Sequence, residues 1–177
     1  LVSGFEALPG KVLMLEPRRI AARMAAQRMA QTLGEPLGQK IGLATRVDRK
    51  VSAATRVEVI TDGLFTRRLL ADPELTGISA VIFDEIHERS LSADLGLALA
   101  LEVQGALRED LHLLAMSATL DTATMAQKLD APVIESEGRQ YPVETRYLGR
   151  SQDRLEDQMA RALEKAVRET DGSILAF

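Results

Sequence analysis

Two neighbouring carboxylates, Asp84 and Glu85, directly follow the apolar run Val81-Ile82-Phe83 and lead into Ile86-His87-Glu88-Arg89. A buried strand that ends in acids delivers them where side chains leave a core and can meet a ligand. In nucleotide hydrolysis such a pair divides the work: the first carboxylate holds Mg²⁺, commonly through water, and the second orients and polarises the attacking water. An Asp-Glu pair also decorates solvated loops, and here the apolar strand before it and His87 after it favour a site. Ser117-Ala118-Thr119 follows another apolar run. If the two strands are neighbours, the hydroxyls of Ser117 and Thr119 and the His87 imidazole can form a hydrogen-bond relay; taken alone, the tripeptide equally caps a helix starting near Asp121. A serine hydrolase built from Ser117, His87 and Asp84 is disfavoured, because no G-x-S-x-G elbow is present.

A second chemistry is carried by cations. Arg18 and Arg19 open a helical stretch behind the strand Lys11–Leu15, with Arg23 one turn on. Guanidinium groups beside free helix N-terminal N–H donors favour phosphate, although arginines here also suit a solvent-facing helix. Thr61-Asp62-Gly63 follows another strand and offers a hydroxyl and open backbone N–H groups, suited to a sugar-phosphate chain and blind to base identity; Thr61 also suits an N-cap. Gly4 and Gly10-Lys11 imitate a phosphate-binding loop but fail as one: five residues separate the glycines instead of four, and Val12 stands where Ser or Thr should meet magnesium.

The elements that must position these groups follow from periodicity. Strands are expected at Lys11–Leu15, Ile41–Arg46, Arg56–Thr61, Ala80–Phe83, Leu111–Met116, Val133–Glu135, Val143–Leu148 and from Ser173 to Phe177. Helices are expected from Pro17 to about Leu33 with Gly34 as the stop, after Thr61 through Leu70, from a Ser92 cap through Leu107, over Asp121–Leu129, and along the stripe Leu155, Met159, Ala162, Leu163, Ala166 and Val167. Strands alternating with helices over short connections imply right-handed βαβ units and a doubly wound α/β fold, mostly parallel with helices on both faces. Chemistry collects at the carboxyl ends of such strands. The polar stretch Gly149 to Asp153 is the best linker candidate.

Composition narrows the choices. At 177 residues, 46% hydrophobic and 27% charged, the chain can bury a core, so disorder and fibrous repeats are excluded. Aromatics at 3% are too few for a binder built on base stacking. The absence of cysteine removes disulfides, thiolate zinc sites and cysteine nucleophiles, and fits a reducing, cytoplasmic setting; His87 and His112 alone make imidazole metal clusters improbable. The longest stretch without Asp, Glu, Lys or Arg is Leu111 to Leu120, far short of a membrane span. Residues 1–69 carry a net +6 and residues 70–177 a net −10, so a basic half can attract phosphates within an acidic whole. Opening on Leu1 and closing at Phe177 inside an apolar run, the sequence reads as a piece of a longer chain.

Taken in order, Leu15-Glu16-Pro17-Arg18-Arg19-Ile20-Ala21-Ala22-Arg23, Thr61-Asp62-Gly63, Asp84 to Arg89, Ser117-Ala118-Thr119 and Gly138-Arg139-Gln140-Tyr141-Pro142-Val143 resemble the motifs of superfamily-2 DEAH-box helicases. The wording of the first block and of Arg89 to Leu95 is nearest to the bacterial HrpB-type group. Ile86 replaces the family's alanine, and the family's phosphate-binding loop is not among these residues. The resemblance implies a RecA-like P-loop NTPase fold, with 1–149 as most of the first RecA-like domain and 150–177 as a linker and the first helix and strand of the second. It implies ATP and Mg²⁺ as cofactors, with Asp84 on the metal, Glu85 activating water, and His87, Ser117 and Thr119 coupling the nucleotide site to domain movement. Arg18, Arg19, Thr61 and Gly63 would touch a nucleic-acid backbone, RNA more readily than DNA. An isolated piece of this kind is expected to be inactive. The competing readings are a non-motor docking scaffold for nucleic acid or protein, and a P-loop ATPase that remodels protein.

Overall fold

The computed structural model describes residues 5–118, 122–136, 141–149 and 151–176. The chain divides into two compact units, Leu1–Ile134 and Glu135–Phe177. The first is built on a six-stranded sheet. Its strands are β1 (Lys11–Glu16), β2 (Ile41–Ala44), β3 (Arg49–Lys50), β4 (Val57–Thr61), β5 (Ile78–Phe83) and β6 (His112–Ala115), in the spatial order β3-β2-β4-β1-β5-β6. Every pairing is parallel except β2 with β3. The helices between them are α1 (Arg19–Thr32), α2 (Asp62–Ala71) and α3 (Leu91–Ala106), with α4 (Thr122–Leu129) after β6.

The central strands read as continuous apolar runs because both of their faces are covered. Alternate residues separate into two cores: Leu13, Leu15, Ile60, Val81 and Phe83 pack with Phe65 and Leu69 of α2 and Leu97, Ala100 and Val103 of α3. Val12, Met14, Leu43, Val59, Ala80 and Ile82 pack instead against Ala22, Ala26 and Ala30, a stripe of small side chains along α1. On the α3 side the sheet is closed by an edge-to-face pair, Phe65 and Phe83, with centroids 5.7 Å apart. Gly96 lets α3 come close, since a Cβ there would stand 3.2 Å from the Phe65 ring. Helix α1 ends in a Schellman motif: Gly34, at φ +69°, donates to Gln31 O, and Glu35 donates to Ala30 O.

Several boundaries move for identifiable reasons. Helix α1 begins at Arg19, with Arg18 still extended and making no side-chain cap. The cap of α3 is Ser90 rather than Ser92: Ser90 is extended and its Oγ accepts the Ala93 N–H, whereas Ser92 already lies inside the helix. In β4 the polar position of the expected alternation, Glu58, is buried and paired with Arg68 of α2 at 3.1 Å. Strand β3, two exposed cations, carries no apolar signal.

In the second unit the stripe from Leu155 forms α5 (Leu155–Glu169), and none of its residues is buried. The expected strands at Val133–Glu135 and Val143–Leu148 are absent, as is a strand over the described part of 173–177. A strand needs a partner for its backbone groups and a core for its apolar side; Val143 and Tyr147 are almost fully exposed. Arg146 is held by Glu144 and Glu169, and Arg161 by Asp153.

Candidate functional site

Parallel pairing places the carboxyl ends of the strands along one rim. The register pairs Glu16 with Thr61, Leu15 with Phe83, and Phe83 with Ala115. From this follows the order along the rim: the Thr61-Asp62-Gly63 turn, Glu16 with Pro17 and Arg18, the acidic pair, and Ser117. Strands β5 and β6 are direct neighbours, as the relay of His87 and Ser117 requires.

Asp84 N–H donates to Leu15 O at 3.1 Å, and the Asp84 carboxylate accepts the Glu85 N–H at 2.8 Å. After Asp84 the chain makes a single 3-10 turn, Ile86–Glu88, bracketed by Glu85 at φ +50° and Arg89 at φ +51°. Left-handed backbone at non-glycine residues costs on the order of 1–3 kcal/mol each and persists where surrounding bonds hold it. Those bonds are present: Met116 N–H to Phe83 O at 2.8 Å, Ile86 N–H to Met116 O at 3.1 Å, and Glu88 N–H to Glu85 O at 2.9 Å. Ile86 is buried in the α3-side core and anchors the turn, so the larger apolar residue at this position serves as a packing foot.

His87 Nδ1 lies 3.1 Å from Glu85 Oε2 and 3.5 Å from the Ala118 N–H. One nitrogen cannot donate to the first and accept from the second in the same tautomer. The imidazole therefore stands where its tautomer decides whether Nδ1 donates to Glu85 or accepts from the Ala118 N–H. Thr119 lies outside the described residues.

Three acidic groups beside this turn escaped sequence reasoning. Glu16 closes β1 and is 4% exposed; its carboxyl shares a hydrogen bond with Asp84 and is pushed up to about 7 by burial first and by the Asp84 charge next. The signal for it was the one used for Asp84, an acid ending a buried strand. Asp62, also buried, is raised above the usual carboxylate range by desolvation, and accepts a hydrogen bond from Ser90 Oγ at 3.1 Å. Glu88 pairs with Arg18 at 2.9 Å.

Among the described residues no three His, Asp or Glu side chains are arranged to enclose a metal. Mg²⁺ keeps several waters and is commonly held by one or two carboxylates and the substrate's phosphates, a demand that the Asp84 carboxylate at the rim would meet. The charges of Asp84 and Glu85, which both raise the proton affinity at Glu16, are what a cation beside Asp84 would offset.

Arg18 and Arg19 are exposed and line an open hollow of about 480 Å³ with Ile20, Ala21 and Met24. Arg23 bonds Asp48 in the β2–β3 turn at 2.7 Å, which ties that turn, with its exposed Arg46, to the first turns of α1. Thr61 stands at the N-cap position of α2, yet its hydroxyl makes no capping hydrogen bond. Gly63 is exposed, and a Cβ there would meet nothing within 4 Å.

A mostly parallel sheet with an Asp-Glu-x-His turn on its carboxyl rim, Ser117-Ala118 beside it and a Pro-Arg-Arg helix start defines a helicase-type, RecA-like domain. Comparison with known proteins gives the family: the chain belongs to the DEAH-box helicases. It is 51% identical over 170 residues to the ATP-dependent RNA helicase HrpB of Escherichia coli, which covers 95% of this chain and 21% of that protein. It is 36% identical over 172 residues to the HrpA homologue of Haemophilus influenzae, covering 95% of this chain and 13% of that protein. Two crystal structures of Escherichia coli HrpB, one described as a DEAH/RHA helicase and one as a DExH-box NTPase, match 94% of this chain at 50% identity, with TM-scores of 0.85 and 0.74. The chain spans about a fifth of the length of HrpB. No protein-family model matches it.

Proposed function

We propose that this chain is part of an ATP-dependent RNA helicase, in which the described rim supplies one wall of the ATP site and one stretch of the RNA track. The observation that carries the reading is the bonded, left-handed turn that presents Asp84 and Glu85 at the carboxyl end of β5, directly beside the end of β6. In this reading Glu85 orients the attacking water and accepts its proton as the water oxygen bonds to the γ-phosphorus and the bond from that phosphorus to the β–γ bridging oxygen breaks, the diphosphate leaving; Asp84 would hold Mg²⁺ through water. The metal, when bound, spreads charge off the phosphates. His87 would leave Glu85 for the Ser117-Ala118-Thr119 segment as the site changes occupancy, which is the coupling role assigned to these residues.

Arg18, Arg19, Thr61 and Gly63 would hold the RNA backbone, a set of sequence-blind donors in the basic half of the chain. The reading takes residues 1–149 as the first RecA-like domain and 150–177 as the linker and opening of the second. It needs a phosphate-binding segment beside the acids. Strand β6, at the sheet's edge among the described residues and with Leu114 46% exposed, offers a free strand edge for one. No described helix is long and apolar enough to cross a membrane. Steady-state ATP hydrolysis by the full-length protein, with and without single-stranded RNA, tests the reading: Mg²⁺-dependent turnover raised by RNA is expected, whereas absent turnover or indifference to nucleic acid refutes it. This chain alone should show neither.

A further inference from the structure

One ion pair joins the proposed RNA contacts to the carboxylate turn, and neither role requires it. Arg18 Nη2 lies 2.9 Å from Glu88 Oε1, with side chains 72% and 32% exposed. Glu88 belongs to the 3-10 turn that begins at Glu85, and its N–H donates to the Glu85 carbonyl at 2.9 Å. A pull on the Glu88 side chain is therefore applied one hydrogen-bonded ring away from the proposed base. The turn has somewhere to go, since Glu85 and Arg89 both sit in left-handed backbone that relaxes when the contacts holding it change. Its far end is also fastened: Ser90 Oγ donates to Asp62 at 3.1 Å, tying the turn to the first residue of α2. Asp62 is 6% exposed, and the Glu88 charge reaches it unfavourably. Glu88 is thus attracted by Arg18 and repelled by Asp62.

A phosphate and a carboxylate are like-charged ligands for a single guanidinium. We propose that Glu88 is a positioning residue that occupies Arg18 in the RNA-free protein, that a backbone phosphate displaces it, and that its release lets the Asp84–Arg89 turn reset Glu85. Backbone occupancy is then reported to the ATP site through one exchanged ion pair. The inference rests on the reading of Arg18 as a phosphate contact and Glu85 as the base. Solvent-exposed pairs are weak, which makes such an exchange feasible in water.

The test uses the full-length protein with oligouridylate as the probe, comparing wild type, Glu88→Gln and Glu88→Asp. Glu88→Gln frees Arg18 in advance, so RNA affinity should rise about two- to fivefold, the range set by exposed pairs. The salt dependence of binding should steepen, and the ratio of RNA-stimulated to basal kcat should fall as the basal rate moves toward the stimulated one. Glu88→Asp, which keeps the charge, should restore part of both. Adding Arg18→Ala should cost more affinity in the Gln background than in wild type, a coupling that a merely structural Glu88 would not produce. Unchanged affinity, or tighter binding with a wild-type stimulation ratio, overturns the inference even where wild type is RNA-stimulated and Glu85→Gln is inactive. Loss of RNA stimulation in wild type itself would instead bring down the reading beneath it.

Discussion

The carboxylate turn and the arginine rim lie on the same edge of one sheet and are built in opposite ways. Asp84 to His87 is buried or half-buried, and the stretch to Arg89 is left-handed at two residues and tied into the ends of β1 and β6 by backbone bonds. Arg18 and Arg19 begin a helix without a side-chain cap and extend into solvent. Groups that must meet a reacting atom have to be held in place before it arrives. Groups that grip a repeating polyanion need only charge and reach, because every phosphate is alike.

That contrast can be broken, most severely at Glu85. In the full-length protein Glu85→Gln should cut steady-state ATP turnover by about 10²–10⁴-fold, the usual worth of a general base, with nucleotide binding retained. Turnover within a few-fold of wild type would mean that the held turn is not catalytic. Next comes the packing beneath it. Phe83→Ala removes the edge-to-face partner of Phe65 from a position 1% exposed, and denaturant unfolding should show a loss of about 3–5 kcal/mol. A loss below about 1 kcal/mol would show that the strand under the acids is not rigidly supported.

On the loose side, Arg18→Ala with Arg19→Ala should weaken binding to all single-stranded sequences alike. The slope of log affinity against log salt should become shallower by roughly 1.4, two contacts at the single-strand value. Sequence-dependent weakening would place base-reading at this rim. The smallest effect is expected at Glu16. Its carboxyl titrates near 7 in the folded chain against 4.5 as the ordinary value, so the folded state binds the proton more tightly. Stability from this group is complete below about 4.5 and is lost as pH rises toward 7. Glu16→Gln should flatten that decline, visible as a Tm shift of about a few degrees across the window. An unaltered pH profile would show that Glu16 does not carry the proton.

Legibility followed burial. Strands β1, β4 and β5 were readable because covering both faces forces unbroken apolar runs, and α1 because proline, an alanine stripe and Gly34 mark its course. Strand β3 was not, since its two residues, Arg49 and Lys50, are exposed cations joined to the sheet by antiparallel backbone pairing. Val143 to Leu148 has a strand's composition but, among the described residues of its unit, no partner strand to pair with. At the site, Asp84, Glu85 and His87 were legible from one acid-ended strand, and Glu16 would have been by the same reasoning. Asp62, Glu88 and Ser90 were not, because their partners lie 28 and 70 residues away.

Local order along the chain thus determined which residues end buried strands and which begin helices, since burial and capping are properties of short windows. Tertiary structure alone decided that β1 lies between β4 and β5, and with it that Glu16 crowds Asp84 and that Arg18 meets Glu88. Strand order is chosen by the packing of two whole helical layers, and no window of sequence contains both sides of that choice.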